Sequence, residues 1–293
     1  MSAALSVCMP TWNGGDYVAE ALDSVLAQTH GDFELLVVDD GSTDRTLDVV
    51  SSVKDPRLKL HRNPARLGIP GNWNRCLELA GSAYVKFLFQ DDLLRPTALE
   101  RLRRAMDAPS RPSLAFARRE IRHVGPGFED GPVLGAHYAR YLEGFYAAAA
   151  PEVRGLDLIM DAVKGTRPVD TNVVGEPSFV LVRREAALAA GGFDTRLHQL
   201  PDWDLWLKLG RDAPLAFVDE SLGVFRIHRG GQSFANFGRA GRHREALRLM
   251  RNLQRWYAKH LGPEARRWIR RRRRNATALW LKESLLAGLG RGD

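Results

Sequence analysis

Two groups of carboxylates stand where apolar runs end, and a third where one begins. Val85-Lys86-Phe87-Leu88-Phe89 runs through Gln90 into Asp91-Asp92. Paired carboxylates at the end of a buried strand are costly to desolvate unless a cation or donor groups satisfy them. A hard divalent metal bound to a diphosphate would use such oxygens, although both aspartates could equally cap the helix starting near Pro96. The run Phe33 to Val38 stops at Asp39-Asp40-Gly41-Ser42, where a carboxylate could accept a hydrogen bond from a nucleobase N–H or a ribose hydroxyl. An Asp-Gly turn that caps the next helix explains the same letters without any ligand. The third group, Asp202-Trp203-Asp204, follows Gly191-Gly192-Phe193-Asp194 and opens an apolar helical run. Capping accounts for one of its aspartates, and a second near a cleft could take the proton from an attacking hydroxyl.

The segments around these residues predict the elements that hold them. An apolar run over Ala4 to Met9 ends at Pro10, and Val18, Ala21, Leu22, Val25 and Leu26 follow at helical spacing after Gly14-Gly15. Strand 33–38 is followed by a helix over about 43–53, a strand near 58–61, a helix near 71–79 and a strand over 84–89. Alternating strands and helices imply an α/β fold with a mostly parallel central sheet flanked by helices. Ligands bind beyond the carboxyl ends of such strands, so the polar ends of the first, second and fourth should converge on one crevice. Residues 125–151, rich in Gly, Pro, Ala and aromatics, read as a long, partly helical excursion over that crevice. Further along, helices are expected over 156–163, 184–190 and 202–209, and strands over 178–183, 215–218 and 223–227.

Composition bounds the rest. The 293 residues, 44% hydrophobic and 27% charged, suit a soluble globular protein. Cys8 and Cys76 fit no metal spacing and read as buried thiols of a reducing compartment. The start lacks the pattern of a signal peptide and no run is long enough for a membrane helix, so a cytoplasmic location is the expectation. The net charge of +8 is unevenly spread, because residues 235–293 hold 16 Lys and Arg against 4 Asp and Glu. Seven arginines lie within 266–274, with Trp256, Trp268 and Trp280 at intervals of twelve. This C-terminal region reads as two helices packed on the core or lying on another surface. Its basic face is either simply solvated or docks on anionic lipid headgroups at the inner face of a membrane. No nucleic-acid-binding motif accompanies the charge.

Together, Val7-Cys8-Met9-Pro10-Thr11-Trp12-Asn13, Ser24 to Thr29, FELLVVDDGSTD over 33–44 and FLFQDD over 87–92 resemble family 2 of the inverting glycosyltransferases, which have the Rossmann-like GT-A fold. The resemblance covers residues 4–100 closely and 172–233 more loosely. It implies that Pro10, Thr11 and Asn13 line a nucleotide pocket, that Asp40 and Asp39 hold the base, and that Asp91 and Asp92 occupy the metal and diphosphate motif. It further implies Asp202 as catalytic base, Glu176 with Trp203 and Asp204 on the acceptor side, and His228 as a histidine that approaches the metal. The cofactor would be Mn²⁺ or Mg²⁺, and the partners a nucleoside-diphosphate sugar, with uridine or deoxythymidine as nucleoside, and a glycan or lipid-linked acceptor.

Three positions depart from the family's pattern. Phe89 stands where many members carry an aspartate, Trp73 where they carry an arginine, and Pro201 where they carry a glutamate. These departures keep open a nucleotide-sugar-binding protein of the same fold that has lost turnover. A nucleotidyltransferase would use a similar sheet, but Gly14-Gly15-Asp16 lacks the basic residue of its phosphate loop. The chain divides into a GT-A domain over 1–234, with a nucleotide-binding half (1–100) and an acceptor-binding half (101–234), and a basic helical appendage over 235–293.

Overall fold

A computed structural model describes residues 3–125, 136–166, 168, 170–231 and 242–289, apart from the side chains of 136–139, 242–243 and 280–289. Strand β1 (Leu5–Thr11) is buried along its whole length between β2 (Phe33–Asp39) and β4 (Tyr84–Phe87), to both of which it runs parallel. Its period-2 alternation divides the core. Leu5, Val7 and Met9, with Leu35 and Val37, pack beneath helix α1 (Val18–Leu26), whereas Cys8, Leu36 and Val38 join the core on the opposite face. Both faces are covered, as an α/β sheet requires.

The sheet order is β3-β2-β1-β4-β8-β6-β9-β5, where β3 is Leu58–Arg62, β5 Leu93–Leu94, β6 Leu114–His123, β8 Val180–Arg183 and β9 Leu215–Ile227; β7 (Glu152–Val153) pairs with β9. From β3 to β4 the strands are parallel. Beyond β4 the sheet is mixed, because β8 lies antiparallel between β4 and β6 while β6 and β9 run parallel. The two short strands expected over 215–227 are one 13-residue strand, bent where its register with β6 shifts.

The helices expected between the strands are α2 (Thr46–Ser52), α3 (Ile69–Leu79) and α4 (Ala98–Ala105). They are followed by α5 (Ala136–Ala148), α6 (Gly155–Val163), α7 (Arg184–Ala189) and α8 (Pro201–Asp212). Most of the start of the 125–151 excursion lies outside the described residues. The C-terminal helices α9 (Arg242–Trp256) and α10 (Pro263–Leu289) share the core with α8: Leu249, Met250, Leu253, Tyr257, Leu261, Ala265 and Ile269 are buried in the same cluster as Trp203 and Trp206. The boundary expected at residue 234 falls outside the described residues. Among those described, no helix is long and apolar enough to cross a membrane.

Candidate active site

A cleft of about 930 Å³ opens at the carboxyl ends of β1, β2 and β4, and Pro10, Thr11, Asn13, Asp40, Asp91, Glu176, Asp202 and His228 all line it. These residues come from positions 10 to 228, so the parallel sheet and the later strand β9 converge on one space.

Side chains and backbone amides knit together the loops that follow β1, β2 and β4 at this cleft. Asn13, in the left-handed region at φ 49°, accepts from the Thr43 amide through Oδ1 at 2.8 Å, while its own amide donates to Ser42 Oγ at 2.9 Å. The Gly14 amide donates to Thr46 Oγ1. Gln90 pairs with both backbone groups of Trp12, at 2.9 and 3.0 Å, and a Cβ on Gly14 would lie 2.2 Å from the Gln90 side chain. Asp40 already accepts three donors, from Asn63 Nδ2 and the amides of Leu67 and Gly68, which anchors the start of α3. A carboxylate has about four acceptor positions, so little capacity is left for a base or ribose.

Asp39 does not line the cleft. It is fully buried and accepts from the Gly41 and Ser42 amides, from Ser42 Oγ, and at 3.4 Å from Thr11 Oγ1. The expected base contact is thus corrected to the turn-capping role that the Asp-Gly sequence also allowed.

Of the pair at the end of β4, Asp91 faces the cleft, and its Oδ2 lies 3.1 Å from His228 Nε2. The rings of His228 and Tyr17 lie 4.3 Å apart, which fixes the imidazole beside the carboxylate. Asp92 turns inward. Its Oδ1 accepts from the Arg226 amide at 3.1 Å, the Ser178 hydroxyl stands beside the carboxyl, and burial followed by the charge of Asp91 raises it well above the usual range. Asp91 and His228 offer one hard oxygen and one imidazole on the same wall, and among the described residues no three acidic, His or Cys groups form a complete metal cage. This donor set fits a divalent ion that takes its remaining ligands from a diphosphate and water.

On the opposite side, Asp202 sits at the start of α8. Its Oδ1 accepts from the Trp203 amide at 2.7 Å and its Oδ2 from Asn172 Nδ2 at 2.9 Å. Burial, then the charge of Glu176, push this carboxyl up to about 7. Asn172 also bonds both backbone groups of Gly175, so one side chain fixes the base candidate and the loop that carries Glu176. Glu176 pairs at 2.6 Å with Arg119, whose fully buried side chain also reaches the Tyr146 hydroxyl. Gly175 has φ +116°, and a Cβ there would meet the Arg119 guanidinium at 2.7 Å.

Trp203 and Asp204, expected on the acceptor side, are buried away from the cleft. Successive helical residues differ by about 100° in direction, so they cannot share the orientation of Asp202. Trp203 lies in the core, and Asp204 pairs with Lys208 at 3.1 Å and accepts from Asn252 at 2.7 Å. Lys86, Gln90, Arg119 and Asn172 had no expected role. Lys86 is buried in β4, its amine brought down to about 7 by desolvation, and it donates to the carbonyls of Phe87 and Ser178. A lysine inside an apolar run was the available signal for it. Gln90 and Arg119 find their partners in distant segments, and Asn172 joins the distant Asp202 to the nearby Gly175.

The model of glycosyl transferase family 2 matches residues 6–130. An uncharacterized protein of Mycobacterium tuberculosis is 36% identical over 222 residues, 76% of this chain and 66% of that protein. The UDP-Glc:alpha-D-GlcNAc-diphosphoundecaprenol beta-1,3-glucosyltransferase WfgD of Escherichia coli is 36% identical over 96 residues, 33% of this chain and 38% of that protein. The chain spans less than two thirds of the length of either relative. Among solved structures, S. aureus TarS 1-349 in complex with UDP-GlcNAc superposes with a TM-score of 0.65 at 19% identity, covering 94% of this chain and 71% of that one. The mannosyltransferase PcManGT from Pyrobaculum calidifontis, in complex with GDP-Man and Mn²⁺, gives 0.54 at 18%, covering 100% and 77%. These structural likenesses identify the fold as GT-A.

Proposed function

The chain belongs, through residues 6–130, to glycosyl transferase family 2, and from that premise we propose that it transfers a sugar, with inversion, from a nucleoside-diphosphate sugar to an acceptor hydroxyl. The observation that carries the reading is a single cleft with Asp91 and His228 on one wall and a carboxyl raised to about 7 at Asp202 on another. A general base works best with a pKa near the working pH. Asp202 takes the proton of the acceptor hydroxyl as its oxygen attacks the anomeric carbon. The bond from that carbon to the diphosphate breaks, its electron pair leaves with the phosphate, and attack from the opposite side inverts the centre. Asp91 and His228 would hold a divalent ion, Mn²⁺ or Mg²⁺, which when bound neutralises charge on the diphosphate. The loop between β1 and α1 receives the nucleotide, with UDP or dTDP as the preferred carriers.

The acceptor side is assigned to Glu176 and its surroundings. A glycan or a lipid-linked saccharide of cell-surface polysaccharide or glycolipid synthesis is the proposed acceptor class, and the relative WfgD, named for a diphosphoundecaprenol-linked substrate, supports it. The exposed arginines of α10 suit docking beside an anionic membrane that holds such an acceptor.

Calorimetric titration of UDP, dTDP and GDP, with and without Mn²⁺, tests the donor site. Metal-dependent binding of one nucleotide, lost in Asp91→Ala, is expected. Absence of binding under every condition would remove the reading. Phe89, in place of an acidic residue, favours a second account in which the donor binds without turnover. Metal-dependent release of nucleoside diphosphate from a bound donor rejects that account.

A further inference from the structure

The three departures from the family's charge pattern meet in the same cleft. Trp73, Phe89 and Pro201 all line it. The rings of Trp73 and Phe89 are stacked, with centroids 4.8 Å apart and planes 23° from parallel. Phe193 meets Trp73 edge-on at 5.0 Å and Phe87 at 5.6 Å, so the stack is backed by the buried core. Ile69, one helical turn before Trp73 on α3, and Leu200, next to Pro201, extend the same wall. By chain position this wall runs from two residues before Asp91 to the residue preceding Asp202.

Resting on the proposed function, we infer that this apolar wall selects a transferred sugar lacking a polar group at C6, a 6-deoxyhexose rather than a hexose or a uronic acid. The transferred ring must lie between the diphosphate, anchored at Asp91, and the base, Asp202. Trp73, Phe89 and Pro201 line the cleft that holds both of these carboxylates. Apart from the indole N–H, these side chains offer no hydrogen-bond donor or acceptor. A C6 hydroxyl turned against them gives up water without replacement, and a carboxylate does so at greater cost. A methyl in the same place buries apolar area against aromatic faces. At these two positions the chain has two aromatic rings in contact, an apolar surface on the wall of the cleft.

The test uses donors that share a nucleotide and differ only at C6: dTDP-glucose with dTDP-6-deoxyglucose, UDP-glucose with UDP-6-deoxyglucose, and GDP-mannose with GDP-6-deoxymannose. Each is titrated with Mn²⁺ into the full chain, into Phe89→Asp, and into the milder Trp73→Leu. An apolar pocket discriminates such pairs by roughly 10- to 200-fold. The expected result is a preference of about tenfold or more for the deoxy member with the accepted nucleotide, narrowing to about threefold or less in Phe89→Asp. Binding of the free nucleoside diphosphate to each variant shows that its pocket has folded. Equal or tighter binding of the hexose, or a preference unchanged in both variants, overturns the inference and leaves the donor reading standing. If no nucleoside diphosphate binds the parent chain, the donor reading fails and this inference with it.

Discussion

Asp202 carries the chemistry of the proposed reaction through its surroundings. Burial and the facing charge of Glu176 raise its carboxyl to about 7, so the unprotonated base accumulates as pH rises through neutrality. Transfer should therefore increase with pH along a limb centred near 7, measured as kcat against pH. Asp202→Asn should lower kcat by about 10² to 10⁴-fold with little change in nucleotide affinity. Glu176→Gln removes the facing charge and should move that limb to lower pH, a shift that a purely structural role would not produce. Stability gives an independent check. The folded state holds this proton more tightly than the unfolded chain, whose carboxyl titrates near 3.8, so the parent loses stability as pH rises from about 4 through 7. Asp202→Asn lacks that penalty, and its Tm relative to the parent should climb across the same window. Asp91 and Asp40 were legible as acidic residues closing apolar runs, and Asp202 as one opening a helical run. The division of labour within each pair was not, because it depends on distant donors: Arg226 for Asp92 and Asn252 for Asp204.

At the scale of elements, strand ends position the site and their loops are fastened to one another. The turn after β2 depends on Asp39, whose buried carboxylate accepts from two amides and from hydroxyls. Asp39→Ala leaves those donors without a partner in a site closed to water, where each lost bond to a charged group is worth about 1.5–3 kcal/mol before relaxation. A net loss on the order of 3 kcal/mol in urea unfolding is expected, with nucleotide affinity falling only as the β1 and β2 loops loosen. The first four strands and their intervening helices could be read from alternation alone, since each apolar run is bounded by turn residues. The second half was harder. In β6 an apolar start passes into Arg118-Arg119-Glu120, and that strand is stabilised by pairing with β8 and β9, which lie more than 60 residues later. Nothing local marks it as a strand, and the antiparallel insertion of β8 is likewise a tertiary result.

For the whole molecule, the uneven charge and the packing of the C-terminal helices determine what the tail can do. One face of α10 is spent on the core through Ala265 and Ile269, and Trp256 and Trp268 lie partly buried against that core. Lys208 sits over the Trp256 ring and Arg272 over Trp268, so both indoles are engaged within the chain; the Trp280 side chain lies outside the described residues. Exposed Arg267, Arg270, Arg271 and Arg274 remain as the outward surface. Docking on a membrane would then be electrostatic, with each arginine near an anionic surface contributing about 1 kcal/mol. The full chain should co-sediment with vesicles of phosphatidylcholine containing phosphatidylserine at low ionic strength and fail to do so with phosphatidylcholine alone. Replacing the four arginines by glutamine should weaken that binding on the order of a hundredfold or more. Salt separates this mechanism from its rival: at 1 M the screening length falls to about 3 Å, and a charge-only contact is released. Binding that survives such salt would mean that apolar surface enters the bilayer, and the core-packed face of α10 would have to leave the fold to supply it.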